Sequence, residues 1–382
     1  MASDLVKAYT AEELIARGAP QCFTTSSTDW KELLIDWFEN AEDGPQRTLY
    51  PAQYEQILID LLSYGFSLLG QEGQIASKQR WLLFAEGEHL DVVAANNSTY
   101  RLKAAASTCD LQVTLDGVLT EDFFLSEGTI VVGGDYRFST DEQLLIEAGL
   151  LSGTVGATAQ EEGEDANGMT AGQINAFLAS QDGVSVANIT ETEGGADEED
   201  DDSLRMRAAY AHDRISKAGP KESYRQQVLA FSSAIVAVAV IRPEPGHIWI
   251  YLLLDSGVPS EDYCARVKSW LDPEDKRPQG DDVSVFPAEA VSFTVSGSAL
   301  IEGDATSTQL DMEADLSDAA AIWQRSLGSY LALSALTVVA WNNFTNLIDI
   351  ELDLAGLEDR QLDPHQFGVV TDVDLTMVVS ND

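Results

Sequence analysis

Residues 194–214 read GGADEEDDDSLRMRAAYAHDR: a glycine pair, six consecutive carboxylates (197–202), then a segment bearing Arg205, Arg207 and Arg214. The run admits three readings: a cation site, a solvated tail or a structural joint. A cation site needs a few converging oxygens, and an EF-hand needs acids alternating with spacers, a central Gly and a terminal Glu. Six adjacent acids point in many directions instead. Gly194 and Gly195 let the chain turn sharply, and Asp202 or Ser203 is expected to cap a helix that begins there. Exposed carboxylates at a helix start gain about 0.3–1 kcal/mol each from its dipole. Acids crowd residues 191–202 with no base among them, so mutual repulsion prevents all of them from stabilising. A joint is the expectation, with Arg205, Arg207 and Arg214 pairing with acids locally or on a partner.

Outward from the joint, the chain has 382 residues, 45% of them hydrophobic, which supports a folded core and roughly two to four domains. Its net charge is −42, from 64 acids against 22 bases. That field repels nucleic acid and anionic membrane. It suits a surface kept soluble in salt, and equally an acidic protein that binds a partner. Cys22, Cys109 and Cys264 are far apart and form no metal-ligand spacing with the four histidines, so neither a disulfide framework nor zinc is expected. The N-terminus has no basic start followed by an apolar core, and the apolar runs are shorter than a membrane span. The expectation is a soluble chain made in the cytoplasm, with no secretion signal.

Residues 28–95 read as helical. Trp30, Leu33, Leu34, Trp37 and Phe38 recur at helical spacing, and a second stripe runs Tyr54, Ile57, Leu58, Leu61, Leu62. Breaks are expected near Gly65, Gly70 and Gly73 before Trp81, with a short helix in EHLDVVAAN. From about 103 to 193 short alternating strands and frequent Gly predict a small antiparallel β-domain of sandwich type. There DFFLSEGTIVVGG reads as two strands around a turn, and LLSGTVGATAQEEGEDANGM as turn-rich. Residues 203–254 read helix, helix, strand, strand. Leu204, Ala208, Ala211 and Ile215 make one apolar face, Gly219 and Pro220 stop that helix, and SAIVAVAVI with HIWIYLLL forms a hairpin. A helix in SEDYCARVKSWL, further strands, one long helix DAAAIWQRSLGSYLALSAL and two last strands follow. The fold class expected is α+β and multidomain: a helical region 1–101, the β-domain 102–193, an α+β domain 194–305 and a C-terminal helix with strands 306–382.

No P-loop, GxGxxG, HExxH or GxSxG pattern occurs, so an enzyme is not expected, nor a cofactor or metal. DANGMTAG (165–172) begins like a calcium loop, but no bidentate Glu follows in register, and a Gly/Asn turn explains it. Cys264 lies near Arg266 and Lys268, which would lower a thiol pKa; a half-buried helix cysteine accounts for it more simply. His247 beside Trp249 reads as a sheet residue.

One ordered set of residues is more specific than any of these. The stretch 189–254, ITETEGGADEEDDDSLRMRAAYAHDRISKAGPKESYRQQVLAFSSAIVAVAVIRPEPGHIWIYLLL, resembles the signature segment of the baseplate J-like family of contractile phage tails and related injection machines. The matching features are Gly194–Glu199, the helix start Ser203–Arg207, Gly219 with Tyr224, the Val-rich strand 234–241, and the turn before Ile248–Leu253. QRWLLFAEGEHLDVVAANNSTYRL, the strands around EGTIVVGG and the RPQGDDVSVFPAEAVSFTV segment are similar to neighbouring parts of the family, over residues 55–305 in all. The acidic run exceeds the family pattern.

The resemblance implies a structural role without catalysis. In the family, two copies join a smaller companion wedge protein through a helical bundle. The wedges link into a ring around the central hub and spike, and the ring passes the trigger for contraction to the sheath. It implies residence in the tail baseplate of a virion or contractile particle, with sheath-initiating proteins as further partners and neither nucleic acid nor membrane insertion. Trp30, Trp37, Tyr54 and Trp81 become candidate bundle anchors, and Gly194, Gly195, Asp197, Arg205, Arg207 and Tyr224 candidate assembly residues. The alternative is an acidic cation-binding or interaction module.

Overall fold

The computed structural model describes residues 9–215, 220–273, 280–303, 305–354 and 360–380. Gly219, Lys276 and Arg277 lie outside them, as do the side chains of Arg214 and Ile215. The chain forms two compact units, one from the residues up to Arg101 with Asp200–His212, the other from Leu102–Glu199 with the residues from Asp213 onward. No described helix is long and apolar enough to cross a membrane.

The first unit is helical: α1 Ala11–Arg17, α2 Ser27–Asn40, α3 Tyr54–Lys78, α4 Gly87–Ala95 and α5 Asp201–Ala209. Thr10 and Glu13 close a capping box on α1, and Ser26 caps α2. The breaks expected in α3 are absent: it runs unbroken through Gly65, Gly70 and Gly73. Gly70 and Gly73 mark a close crossing instead, while Gly65 has open space beside it. A Cβ at Gly70 would lie 2.0 Å from the Thr24 carbonyl oxygen, and one at Gly73 would lie 3.0 Å from the Phe23 ring. Above that crossing Trp30 Nε1 donates to the Thr24 carbonyl at 3.0 Å, and its ring packs on Phe66 at 5.4 Å. Leu204 and Ala208 of α5 pack on Ala85, Leu90 and Ala94, making a small core.

The second unit begins with the β-domain: β1 Ala106–Leu115, β2 Phe123–Leu125, β3 Ile130–Gly133, β4 Tyr136–Thr140, β5 Leu144–Ile146, β6 Ser152–Glu162, β7 Ala176–Phe177 and β8 Val184–Asn188. Six of these strands make one antiparallel sheet in the order β7-β3-β4-β6-β1-β8. Its two ends approach where Ile174 N donates to Asn188 Oδ1 at 2.9 Å and Asn188 N to the Ile174 carbonyl at 3.0 Å. The antiparallel β-domain is present, and its sheet rolls into a nearly closed barrel around one core containing Leu111, Val113, Val131 and Phe138. The runs around the EGT turn are two strands as expected, β2 pairing with β5 and β3 with β4 and β7. One local expectation changes. The stretch read as turn-rich is largely the long strand β6; its inward residues Val155, Ala157 and Ala159 are too small to show a strong alternation in sequence.

After α6 (Ala211–Ile215), α7 (Lys221–Leu229), β9 (Ile235–Ile241), β10 (His247–Leu254), α8 (Glu261–Leu271) and β11 (Asp282–Pro287) build the α+β part. β9 and β10 form the expected antiparallel hairpin, and β11 returns parallel to β10 by way of α8. Tyr224, Val228, Ile250, Leu252 and Val267 fill its core. Next come β12 (Glu289–Ile301), α9 (Ala305–Gln324), β13 (Tyr330–Leu331), α10 (Leu333–Asn343), β14 (Leu347–Asp353), β15 (Arg360–Gln361) and β16 (Gln366–Val379). The central strand β12 lies between β14 and β16, under α9 and α10. The single long helix expected here is therefore two. Gly328, at φ +66°, turns the chain against Pro364 between them, and β13 pairs with β15 there.

Candidate assembly sites

The joint is built first on its glycines. Gly194 has φ +80°, open to glycine at little cost, and a Cβ there would meet the Tyr263 ring at 3.0 Å. A Cβ at Gly195 would sit 2.2 Å from Ser107 Oγ and 2.4 Å from the Gly163 carbonyl oxygen. Asn167 holds Gly195 from both ends, accepting from its N–H at 2.9 Å and donating to its carbonyl at 2.8 Å. Asn167 belongs to the stretch read as a faint calcium loop, so its work there is to clamp the joint. Glu193 accepts from Ser260 N at 2.8 Å, tying the end of the barrel to the cap of α8.

The acids then divide among separate tasks. Asp197 accepts from Glu164 N at 3.3 Å, and its carbonyl accepts from Ser233 Oγ at 2.9 Å. Glu199 is buried, and its carboxylate accepts from Leu102 N at 3.0 Å. Asp200, rather than Asp202 or Ser203, caps α5, accepting from Ser203 N at 2.8 Å, because the helix starts at Asp201, earlier than expected. Asp201 accepts from Gly87 N at 2.8 Å and pairs with Arg101 at 2.6 Å, and these partners hold its carboxyl below the usual range. Asp202 pairs with Arg205. Glu198 is exposed. The run thus sits where the chain passes from one unit to the other. Asp197 and Glu199 bind residues of the second unit, and Asp200, Asp201 and Asp202 those of the first. No converging set of metal-ligating side chains occurs among the described residues.

The arginines turn inward. Arg205 and Arg207 are each 8% exposed, and donate to the carbonyls of Ala85 at 2.9 Å and Tyr100 at 2.7 Å. Tyr224 is buried, and its hydroxyl donates to Asp281 at 2.7 Å. Trp30 and Trp81 are half-buried, the latter edge-on to Phe84 at 6.3 Å. Burial also pushes the Cys264 thiol up to about 12, with Glu193 and Glu261 adding to it. Arg266 and Lys268 do not activate it, and the residue is buried rather than half-buried.

The helical unit carries the other candidate. On α3 the buried residues are Ile59, Ser63, Ser67 and Gly70, mostly small, while large apolar residues face solvent. Tyr54, Leu61, Leu68 and Ile75 recur every seven residues at 90%, 66%, 43% and 53% exposure. Ile57 and Tyr64, also seven apart, are exposed beside them, as is Trp37 on α2. Positions spaced this way form the apolar seam of a helix that packs against other helices. The sequence showed the stripe from Tyr54 to Leu62, but only burial shows that it faces away from its own unit.

A rolled antiparallel barrel, a glycine–acid joint, an α+β part and a helical unit with an uncovered seam together define a multidomain α+β protein. The model of the Baseplate J-like protein barrel domain matches residues 112–195, and that of the Baseplate J-like central domain matches residues 216–287. The first match ends at the glycine pair and the second begins beyond α5. Baseplate protein J of Escherichia phage P2 is 31% identical over 100 residues, covering 26% of this chain and 33% of that protein, so the match spans about a third of the relative. Among solved structures, the chain is similar to one in the cryo-EM structure of the anti-feeding prophage (AFP) baseplate, 6-fold symmetrised. That likeness covers 96% of this chain and 99% of the other, at 12% identity and a TM-score of 0.39. The two domain matches and the phage P2 relative support a baseplate J-like protein.

Proposed function

We propose that this chain is a structural wedge subunit of the baseplate of a contractile tail or injection machine. In this reading a second copy of it and a smaller companion pack helices onto α2 and α3. The assembled wedges ring the central hub and spike, and rearrangement of that ring releases the sheath. The particle assembles in the host cytoplasm, and the chain contributes packing surfaces in place of catalysis. The observation that carries the reading is the seven-residue seam of α3, which leaves large apolar side chains in water while small ones fill the helix's own contacts. Exposed apolar surface of this kind marks a protein interface. The two family matches supply the baseplate context. Trp37 and Tyr54 are the anchors with free surface, whereas Arg205, Arg207 and Tyr224 act by holding their own units in shape. Co-expression with the proteins encoded beside it, followed by size-exclusion chromatography with mass measurement, tests the reading. A complex containing more than one copy and a smaller chain is expected; a monomer indifferent to every neighbour refutes it.

A further inference from the structure

The ribbon of β2 and β5 carries an apolar surface that the barrel core does not use. Leu125, Leu144 and Ile146 turn inward and are buried in that core. Phe124 and Leu145, directly paired across the ribbon, turn outward and are 57% and 46% exposed. The loop before β2 is fastened alongside the turn after β5: Gly149 N donates to the Leu119 carbonyl at 3.1 Å, and Ala148 N to Asp122 Oδ1 at 2.9 Å. That fastening brings exposed Val118, Leu119, Leu150 and Leu151 to the same end of the barrel. Asp116, Glu121, Asp122, Glu142 and Glu147 stand exposed in these same segments. Arg137 is the single base between residues 116 and 151.

We propose that this surface docks a protein partner that presents an apolar face ringed by lysines and arginines. Specific interfaces combine an apolar centre with a polar rim, and complementary rim charge steers the correct partner and rejects like-charged ones. The rim here is acidic throughout its loops. A second copy offering the same surface would set carboxylates against carboxylates, and an anionic membrane would be repelled in the same way. The surface belongs to the second unit and the helical seam to the first, so the two are made of different residues and are tested separately. The wedge reading enters only in choosing the particle in which to look.

The test places a benzophenone photocrosslinker at Leu145 of the full chain, co-expressed with its genomic neighbours and purified as the assembled particle. A parallel sample carries the crosslinker at Tyr54. The expected product at Leu145 is an adduct with a different chain, mapped by mass spectrometry to a Lys- or Arg-bearing peptide. Its yield should fall about tenfold in Phe124→Ser, and similarly in Glu121→Lys with Glu142→Lys, while the Tyr54 adduct is unchanged. All three substituted residues are exposed, so an unaltered thermal melt will confirm that the variants fold. No adduct at Leu145, an adduct with a second copy, or a yield indifferent to charge reversal overturns the proposal. An adduct at Tyr54 without one at Leu145 would leave the wedge reading standing; loss of both would remove the two together.

Discussion

The two units solve the same problem differently. The second unit surrounds three substantial cores, in the barrel, under the β9–β10–β11 sheet and under α9 and α10, and each is lined by Leu, Val, Ile or aromatic side chains. The first has a small core centred on Ala85, Leu90, Ala94, Leu204 and Ala208, and it wears its large apolar residues outside. Burial of apolar area is what stabilises a fold. The second unit therefore has large cores within one chain, with smaller apolar patches such as the β2–β5 ribbon left outside, while the first keeps most of its large apolar side chains in water. The difference shows where uncovered apolar surface gathers, on the helices, whereas the side chains of the joint are engaged within their own units.

The contrast can be broken at several points. Gly195→Ala should have the largest effect, destabilising the second unit by ~4 kcal/mol in a urea titration, because its Cβ would overlap Ser107 Oγ and the Gly163 carbonyl. A loss below ~1 kcal/mol would mean that the joint yields. Leu61→Asp with Leu68→Asp should weaken association by about a hundredfold in co-expression. Both residues are exposed, so the melt of the isolated chain should move by less than ~0.5 kcal/mol. Equal losses in both measurements would erase the distinction between the units. Asp200→Ala removes the cap of α5 and should cost ~1 kcal/mol in the first unit.

The effect that is smallest up to pH 9 is alkaline. Burial, with Asp110 and Asp141 adding to it, pushes the Cys109 thiol from 9.0 up to about 12, and Cys264 moves likewise. Folding thus favours the protonated thiol. That stability is fully present below the unfolded thiol pKa and is lost as pH rises from about 9 towards 12, the loss being about 0.4 kcal/mol per thiol at pH 9. Cys264→Ala should flatten part of this slope in melts between pH 8 and 11. Both thiols lie in the second unit, and the first unit's Cys22 is exposed. An unchanged slope would indicate that the buried thiols do not titrate with unfolding.

Much of this was legible in sequence where period and chemistry are strong. The stripe of α3, the hairpin of β9 and β10 and the glycine–acid joint each carry a local rule that tertiary context did not overturn. The misreadings came where a residue's reason was remote. Gly70 is small because Thr24 crosses it, not because the helix stops. Gly328 splits α9 from α10 because Pro364 packs there. Arg205 and Arg207, charged and next to acids, looked available to a partner, yet they spend donors on the carbonyls of Ala85 and Tyr100, distant in sequence.

By itself, the sequence determined the element types, the acidic surface and the position of the joint, since these depend on side-chain periodicity, charge and backbone freedom within a few residues. Only the tertiary structure decided which acid caps α5, that the β-sheet rolls into a barrel, and which apolar stripe stays in water. Those outcomes depend on what lies opposite a residue in space. Residue spacing along a chain sets which side chains share a face, but it does not say whether that face is covered.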